Sequence, residues 1–303
     1  MHSRAIMVGG SVLVAMLAAF ALRSSAAEID PAAKVGEPAF NEKRGVWQYQ
    51  VESPFTKGKN VVEVLLPDQF DKAKQYRVLY VLPVEMGENH NFGDGLQEVR
   101  KLGVHNRHDV ICVGPTFDGA MPWYGAHATD TRIRHEDYLV KVVVPLIESR
   151  YPTLGAAEGR LLLGFSKSGW GAFSLLLRNS GFFGYAASWD APLMMTERQF
   201  GAFETRDHFG TPENFASYMI VNLLREHAKE FQDKPRLVLA GSSLFGPQPG
   251  KAFADSPHTL AAHALMQELG IKHLYNNDLP KGHHWGTGWV GPVVDMLMSL
   301  AKQ

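Results

Sequence analysis

Leu161-Leu-Leu-Gly-Phe-Ser-Lys-Ser-Gly169 is the stretch that decides the fold. Arg160–Leu163 is apolar enough for a strand buried on both faces. Helical spacing takes over from Trp170 to Arg178. Between them, Gly164-Phe165-Ser166-Lys167-Ser168-Gly169 turns the chain from strand into helix. A serine on such a sharp, strained turn has its hydroxyl pushed clear of the sheet and exposed to a substrate. The strain demands small residues two before and two after the serine. Gly164 meets the first demand, and Ser168, followed by Gly169, takes the second place, a departure from the common G-x-S-x-G pattern. The competing use of Ser166 is a plain helix cap.

The same alternation extends in both directions. Gly45–Val51, Asn60–Leu66, Tyr76–Leu82, Val110–Val113, Tyr185–Ser188 and Arg236–Ala240 read as strands. Arg134–Arg150, Asn214–Phe231, Pro257–Leu269 and Trp289–Lys302 carry apolar residues at helical intervals. Apolar strands alternating with helices predict an α/β fold, a mostly parallel central sheet with helices on both faces. The first two strands have no helix between them, so that edge is expected to be antiparallel. No repeat, low-complexity segment or long linker interrupts the chain, and residues 28–303 read as a single domain.

A serine hydroxyl needs a base. Lys281-Gly-His-His-Trp-Gly-Thr-Gly-Trp289 offers two adjacent histidines, His283 and His284, after the serine in the chain order this kind of fold uses. A carboxylate must orient the imidazole and stabilise its cation. Asp255, in the loop after the strand ending at Ala240, is the first candidate, and Asp190, at the end of the strand after the serine turn, is the rival. Two backbone N–H donors must hold the oxyanion. Lys167 supplies one. The second comes from Val84, Glu85 or Met86, since Pro83 has no N–H. Trp123, Tyr124, Trp189 and Trp285 are candidates for an apolar substrate surface.

Composition sets the boundaries. The chain of 303 residues is 45% hydrophobic and 20% charged, enough for a large core. Its formal net charge is −1, and −3 once Arg4 and Arg23 are removed with a leader. That balance gives no electrostatic case for nucleic acid or for an anionic membrane surface. Residues 1–27 combine Arg4, an apolar run from Ile6 to Leu22 and the small residues Ser25 and Ala27. This is the pattern of a secretory signal peptide, cleaved after Ala27, so export to the periplasm or beyond is expected, with no membrane insertion of the mature chain. Cys112 is the sole cysteine. Its apolar neighbours mark it as a buried strand residue rather than a nucleophile.

Several blocks resemble the Putative esterase family of α/β-hydrolases, which groups feruloyl and acetylxylan esterases, S-formylglutathione hydrolases, enterochelin esterases and mycolyltransferases. Val62–Pro67 with Tyr76–Leu82 resembles the family's opening strands, and Tyr138–Tyr151 its helix before the serine turn. Gly164-Phe-Ser-Lys-Ser-Gly169 with Trp170-Gly-Ala172, then Phe182–Tyr185, follow in order. Gly282-His-His-Trp285 resembles the family's Gly-His-x-Trp block, which implies that His283 is the base. The chain departs from the family pattern at Ser168 and at Pro83-Val84, where a His-Gly pair is common. Its candidate acid also lies further along the loop, a placement similar to that in the mycolyltransferases. The resemblance implies a cofactor-free carboxylic ester hydrolase. With export, it points to an acylated or feruloylated carbohydrate or another small ester as substrate. An acyltransferase with the same residues, and a non-catalytic binding protein on a hydrolase scaffold, are the alternatives.

Overall fold

The computed structural model describes residues 28–241, 258–279 and 282–302. The apolar runs become strands: β1 (Lys34–Val35), β2 (Ala39–Asn41), β3 (Val46–Glu52), β4 (Lys59–Leu65), β5 (Arg77–Val81), β6 (Val110–Pro115), β7 (Arg160–Phe165), β8 (Tyr185–Trp189), β9 (Leu237–Ala240) and β10 (His273–Asn276). They form one sheet in the order β1-β3-β4-β6-β5-β7-β8-β9-β10, with β2 also paired to β3. From β6 through β5, β7, β8 and β9 to β10 every pairing is parallel. The β1, β2, β3, β4 edge is antiparallel up to β6, as the missing helix between the first two expected strands requires.

Burial follows topology. β7 and β8 are buried at every position, whereas the second half of β3 buries Tyr49 and Val51 on one face and exposes Gln50 and Glu52 on the other, as a strand with one wet face does. Along β5, Val78 and Tyr80 enter one core and Leu79 and Val81 the other. The helix Lys167–Arg178 and the long helix from His135 to Arg150 cover the first face. Gly95–Lys101 and Val290–Ala301 cover the second. Cys112 is fully buried in β6, and burial pushes its thiol well above the ordinary range, so it is a core residue and no nucleophile.

Two departures from the sequence pattern have local causes. The helix from His135 to Arg150 widens into a π turn over Leu139–Val143. Pro145 sits in its interior and lacks the N–H that would bond the Lys141 carbonyl one turn back. That carbonyl accepts instead from the Asp30 N–H at 2.9 Å. The expected helix over 214–231 is divided into Pro212–Ala216, Ile220–His227 and a 3-10 turn Ala228–Phe231. Buried Met219 is extended at the break.

Candidate active site

The carboxyl ends of β5, β7 and β8 converge, which is where open parallel sheets hold their sites. Ser166 follows β7 with φ 54° and ψ −126°, a backbone that L-residues rarely adopt. Strain of this kind persists only where the surroundings impose it. They do so here. A Cβ on Gly164 would lie 2.0 Å from the Ser168 carbonyl oxygen, and one on Gly169 would lie 2.7 Å from Ser188 Oγ. Ser168 is fully buried, and its hydroxyl accepts from the Phe165 N–H and donates to the Phe165 carbonyl, both at 2.9 Å. The residue that breaks the G-x-S-x-G pattern therefore ties the end of β7 to the first turn of the helix. The capping reading of Ser166 is overturned, because its side chain makes no capping bond to the helix among the described residues. Its Oγ lies 3.1 Å from His283 Nε2.

The two histidines separate cleanly. His284 turns away, its Nδ1 accepting from the Gly286 N–H at 2.9 Å at the head of the 3-10 turn Trp285–Thr287. Its carbonyl accepts from Thr287 Oγ1 and Trp289 Nε1, which fixes the loop and leaves His283 facing the serine. The His283 ring packs against Phe165 at 4.5 Å between centroids and edge-on to Phe92 at 6.0 Å.

Asp190 directly follows β8, with φ 42°, a left-handed backbone that Asp tolerates. Its carboxylate is almost fully buried, and Oδ2 stands 3.7 Å from His283 Nδ1. This is ion-pair range rather than a hydrogen bond. Asp255, the first candidate acid from the sequence, lies outside the described residues. Asp190 is thus the acid that the described structure brings to His283.

Lys167 opens the helix, so its N–H is one of the first-turn donors without an intrahelical partner. Beyond β5, the Leu82 N–H bonds the Leu163 carbonyl and the Gly87 N–H bonds the Phe117 carbonyl. The N–H groups of Val84, Glu85 and Met86 fall between these two anchors. Tyr124 donates its hydroxyl to the Pro83 carbonyl at 2.5 Å. Burial pushes the Tyr124 phenol well above its ordinary range, so it remains a donor. In a trans peptide the next N–H points opposite to the carbonyl, so Tyr124 fixes the direction of the Val84 N–H. The Tyr124 ring fills the space a Cβ on Gly171 would take, at 2.0 Å, which braces this turn on the helix after Ser166. Glu85 is buried, and its carboxylate accepts from Asn91 Nδ2 at 2.7 Å and the Phe92 N–H at 3.0 Å.

The expected aromatic surface is corrected. Trp123, Tyr124 and Trp189 are fully buried, and Trp285 nearly so. Trp189 stacks on Trp289, Trp285 packs tilted against the same ring and Trp123 packs edge-on to Trp170, so they are core beneath the site rather than a face for a sugar. Trp285 also walls a cavity of about 50 Å³ behind the Pro83–Leu96 loop, beside Arg44, Glu63 and Asp94. Among the described residues, the aromatic in contact with the His283 ring that reaches solvent is Phe92, 42% exposed. Sequence reasoning missed it. Its signal was a lone aromatic in the polar, glycine-containing stretch Asn89-His-Asn-Phe-Gly-Asp-Gly95.

A strained serine after a central parallel strand, a histidine on its hydroxyl and helices on both sheet faces define the α/β-hydrolase fold. A ferulic acid esterase structure superposes with a TM-score of 0.60 at 19% identity over 89% of this chain and 98% of that one. FphF, a fluorophosphonate-binding serine hydrolase of Staphylococcus aureus, gives 0.61 at 15% over 86% and 99%. An S-formylglutathione hydrolase from Agrobacterium tumefaciens gives 0.62 at 12% over 88% and 99%. No curated protein sequence matches the chain. The profile of the family described as Putative esterase matches residues 53–277, and the chain belongs to that family. It is a carboxylic ester hydrolase.

Proposed function

We propose that this protein is an exported serine esterase that works through an acyl-enzyme on Ser166. The observation that carries the reading is the 3.1 Å separation of His283 Nε2 and Ser166 Oγ. Ser166 Oγ attacks the ester carbonyl carbon while His283 Nε2 takes its proton. The N–H groups of Lys167 and Val84 hold the tetrahedral oxyanion. The Asp190 carboxylate, beside His283 Nδ1, stabilises the imidazolium that forms. When the tetrahedral intermediate collapses, the carbonyl-to-alkoxy bond breaks and His283 returns the proton to the leaving alcohol. Water, deprotonated by the same histidine, then releases the acid. None of these steps asks for a metal or an organic cofactor.

The leader-like pattern of residues 1–27 supports an ester met outside the cytoplasm. Likeness to a ferulic acid esterase and the half-exposed Phe92 ring beside His283 support an acylated or feruloylated carbohydrate. The test is hydrolysis of p-nitrophenyl acetate and butyrate by the chain from Glu28, with Ser166→Ala alongside. Turnover by the wild type that falls to background in the variant is expected. Equal rates in both proteins would sink the acyl-enzyme on Ser166.

A further inference from the structure

We propose that the Lys167 ammonium is a substrate-binding group that selects esters carrying a carboxylate close to the scissile carbonyl. This inference deepens the esterase reading above and rests on it. Lys167 is the residue immediately after Ser166, and its half-buried side chain reaches Met121 and lies within electrostatic range of Glu85, in the loop after β5 that faces the serine turn. Its backbone N–H serves the oxyanion, which leaves the side chain unexplained by the chemistry.

The surroundings of Nζ are unusual for a lysine. Its hydrogen-bond partner among the described residues is Met121 Sδ, at 3.5 Å. A thioether is a weak acceptor. Glu85 and Glu204 act on Lys167 through space without a hydrogen bond to it. Glu85 cannot swing across cheaply, because Asn91 and the Phe92 N–H hold both its oxygens. Glu204 belongs to an exposed turn in which Phe203 and Glu204 are both left-handed, with φ 50° and 69°. Trp123 Nε1 donates to the Phe203 carbonyl at 3.1 Å and fixes that turn against the Met121–Trp123 segment. The ammonium is therefore flanked by segments that are held in place, and desolvation lowers its pKa. Among the described residues it has no ion pair, and a partly desolvated charge without one is costly in a folded protein. A ligand carboxylate at Nζ would offset that cost with a direct charge-assisted hydrogen bond, which neither glutamate makes.

Carboxylate is the group that fits. It accepts from an ammonium in a charge-assisted hydrogen bond, a contact stronger than a neutral one. A lysine side chain reaches only about 6 Å from its Cα, roughly four bond lengths beyond Cβ. The carboxylate must therefore stand within a few bonds of the ester, on either the acyl or the alcohol side.

Two matched pairs of esters test the assignment. The acyl-side pair is the p-nitrophenyl monoester of adipic acid against p-nitrophenyl hexanoate. The alcohol-side pair is 5-butanoyloxy-2-nitrobenzoate against p-nitrophenyl butyrate. The readout is the ratio of kcat/KM for the anionic ester to that for its neutral partner, in wild type, Lys167→Met and Lys167→Arg. A loss of general catalytic power cancels from that ratio. In one pair the wild type should favour the anion, and Lys167→Met should lower the ratio by about 10- to 100-fold, the span of a charge-assisted hydrogen bond. Lys167→Arg should retain part of the preference. The pair that responds identifies the side of the ester that Lys167 meets. Ratios in both pairs that are unchanged by Lys167→Met would overturn the proposal. If the wild type hydrolyses none of the four, the esterase reading fails on its own account. Lys167 is then read from thermal unfolding: adipate should raise the wild-type Tm more than that of Lys167→Met, and equal shifts would reject the assignment.

Discussion

Tyr124→Phe removes one hydroxyl and leaves a ring of the same shape on Gly171, so it isolates the bond to the Pro83 carbonyl. The folded state loses one hydrogen bond to a half-buried carbonyl, a net cost of about 0.5–1.5 kcal/mol. In a protein of this size that lowers Tm by roughly 2–4 °C per kcal/mol. The kinetic consequence is larger. Deleting an oxyanion donor outright costs on the order of 10²- to 10³-fold in kcat. Here the Val84 N–H survives, but the peptide plane that aims it is released, so the loss in kcat should be about 10- to 100-fold. KM should change little, since the oxyanion exists only in the tetrahedral states and not in bound substrate. The assay is steady-state hydrolysis of p-nitrophenyl butyrate well below the Tm of either protein, with thermal unfolding of both. A lowered Tm with kcat within twofold of wild type would refute the reasoning. The hydroxyl would then support the fold alone, and the donor would be Glu85 or Met86.

Three further outcomes follow from the same geometry. Ser168→Ala strips the Phe165 N–H and carbonyl of their buried partner, so it should cost about 1–3 kcal/mol in urea unfolding. A midpoint equal to wild type would show that the Ser166 turn does not depend on this hydroxyl. Asp190→Asn should keep the fold and lower kcat by at least about tenfold, because a neutral amide cannot stabilise the imidazolium as a carboxylate does; Asp255→Asn is the paired measurement, and a loss confined to it would move the acid to Asp255. His135 and His208 are buried ring to ring at 4.8 Å and held neutral by desolvation, His208 down to about 3. The unfolded chain binds their protons near pH 6.5 while the folded chain does not, so stability is full above that pH and falls as pH drops below it. The slope is about 1.4 kcal/mol per pH unit for each histidine between roughly pH 6.5 and 5. Urea titrations across that window should flatten in His208→Phe, and an unchanged slope would reject the assignment.

What the sequence makes legible divides along a physical line. The strands from β3 to β9 and the helix after Ser166 are visible because burial on two faces or one leaves a period in the residues themselves. β10, His273–Asn276, leaves no such trace, since it is a short strand at the sheet edge and only partly buried throughout. The Ser166 turn is legible for another reason. Its strain is local, and it demands small residues at fixed offsets. Even the departure at Ser168 follows from a bond back to Phe165, three residues away. The acid is different in kind. A carboxylate acts on His283 by proximity across 93 residues of chain, and nothing in the residues around Asp190 or Asp255 encodes that distance. What could have favoured Asp190 is topological. β8 lies beside β7 in a parallel sheet, with Phe165 in register with Trp189, so the residue after each strand emerges at the same edge. Ser166 and Asp190 are those two residues, and the Ser166 N–H bonds the Trp189 carbonyl. The pairing of β7 with β8 therefore brings this carboxylate to the histidine that the serine already holds.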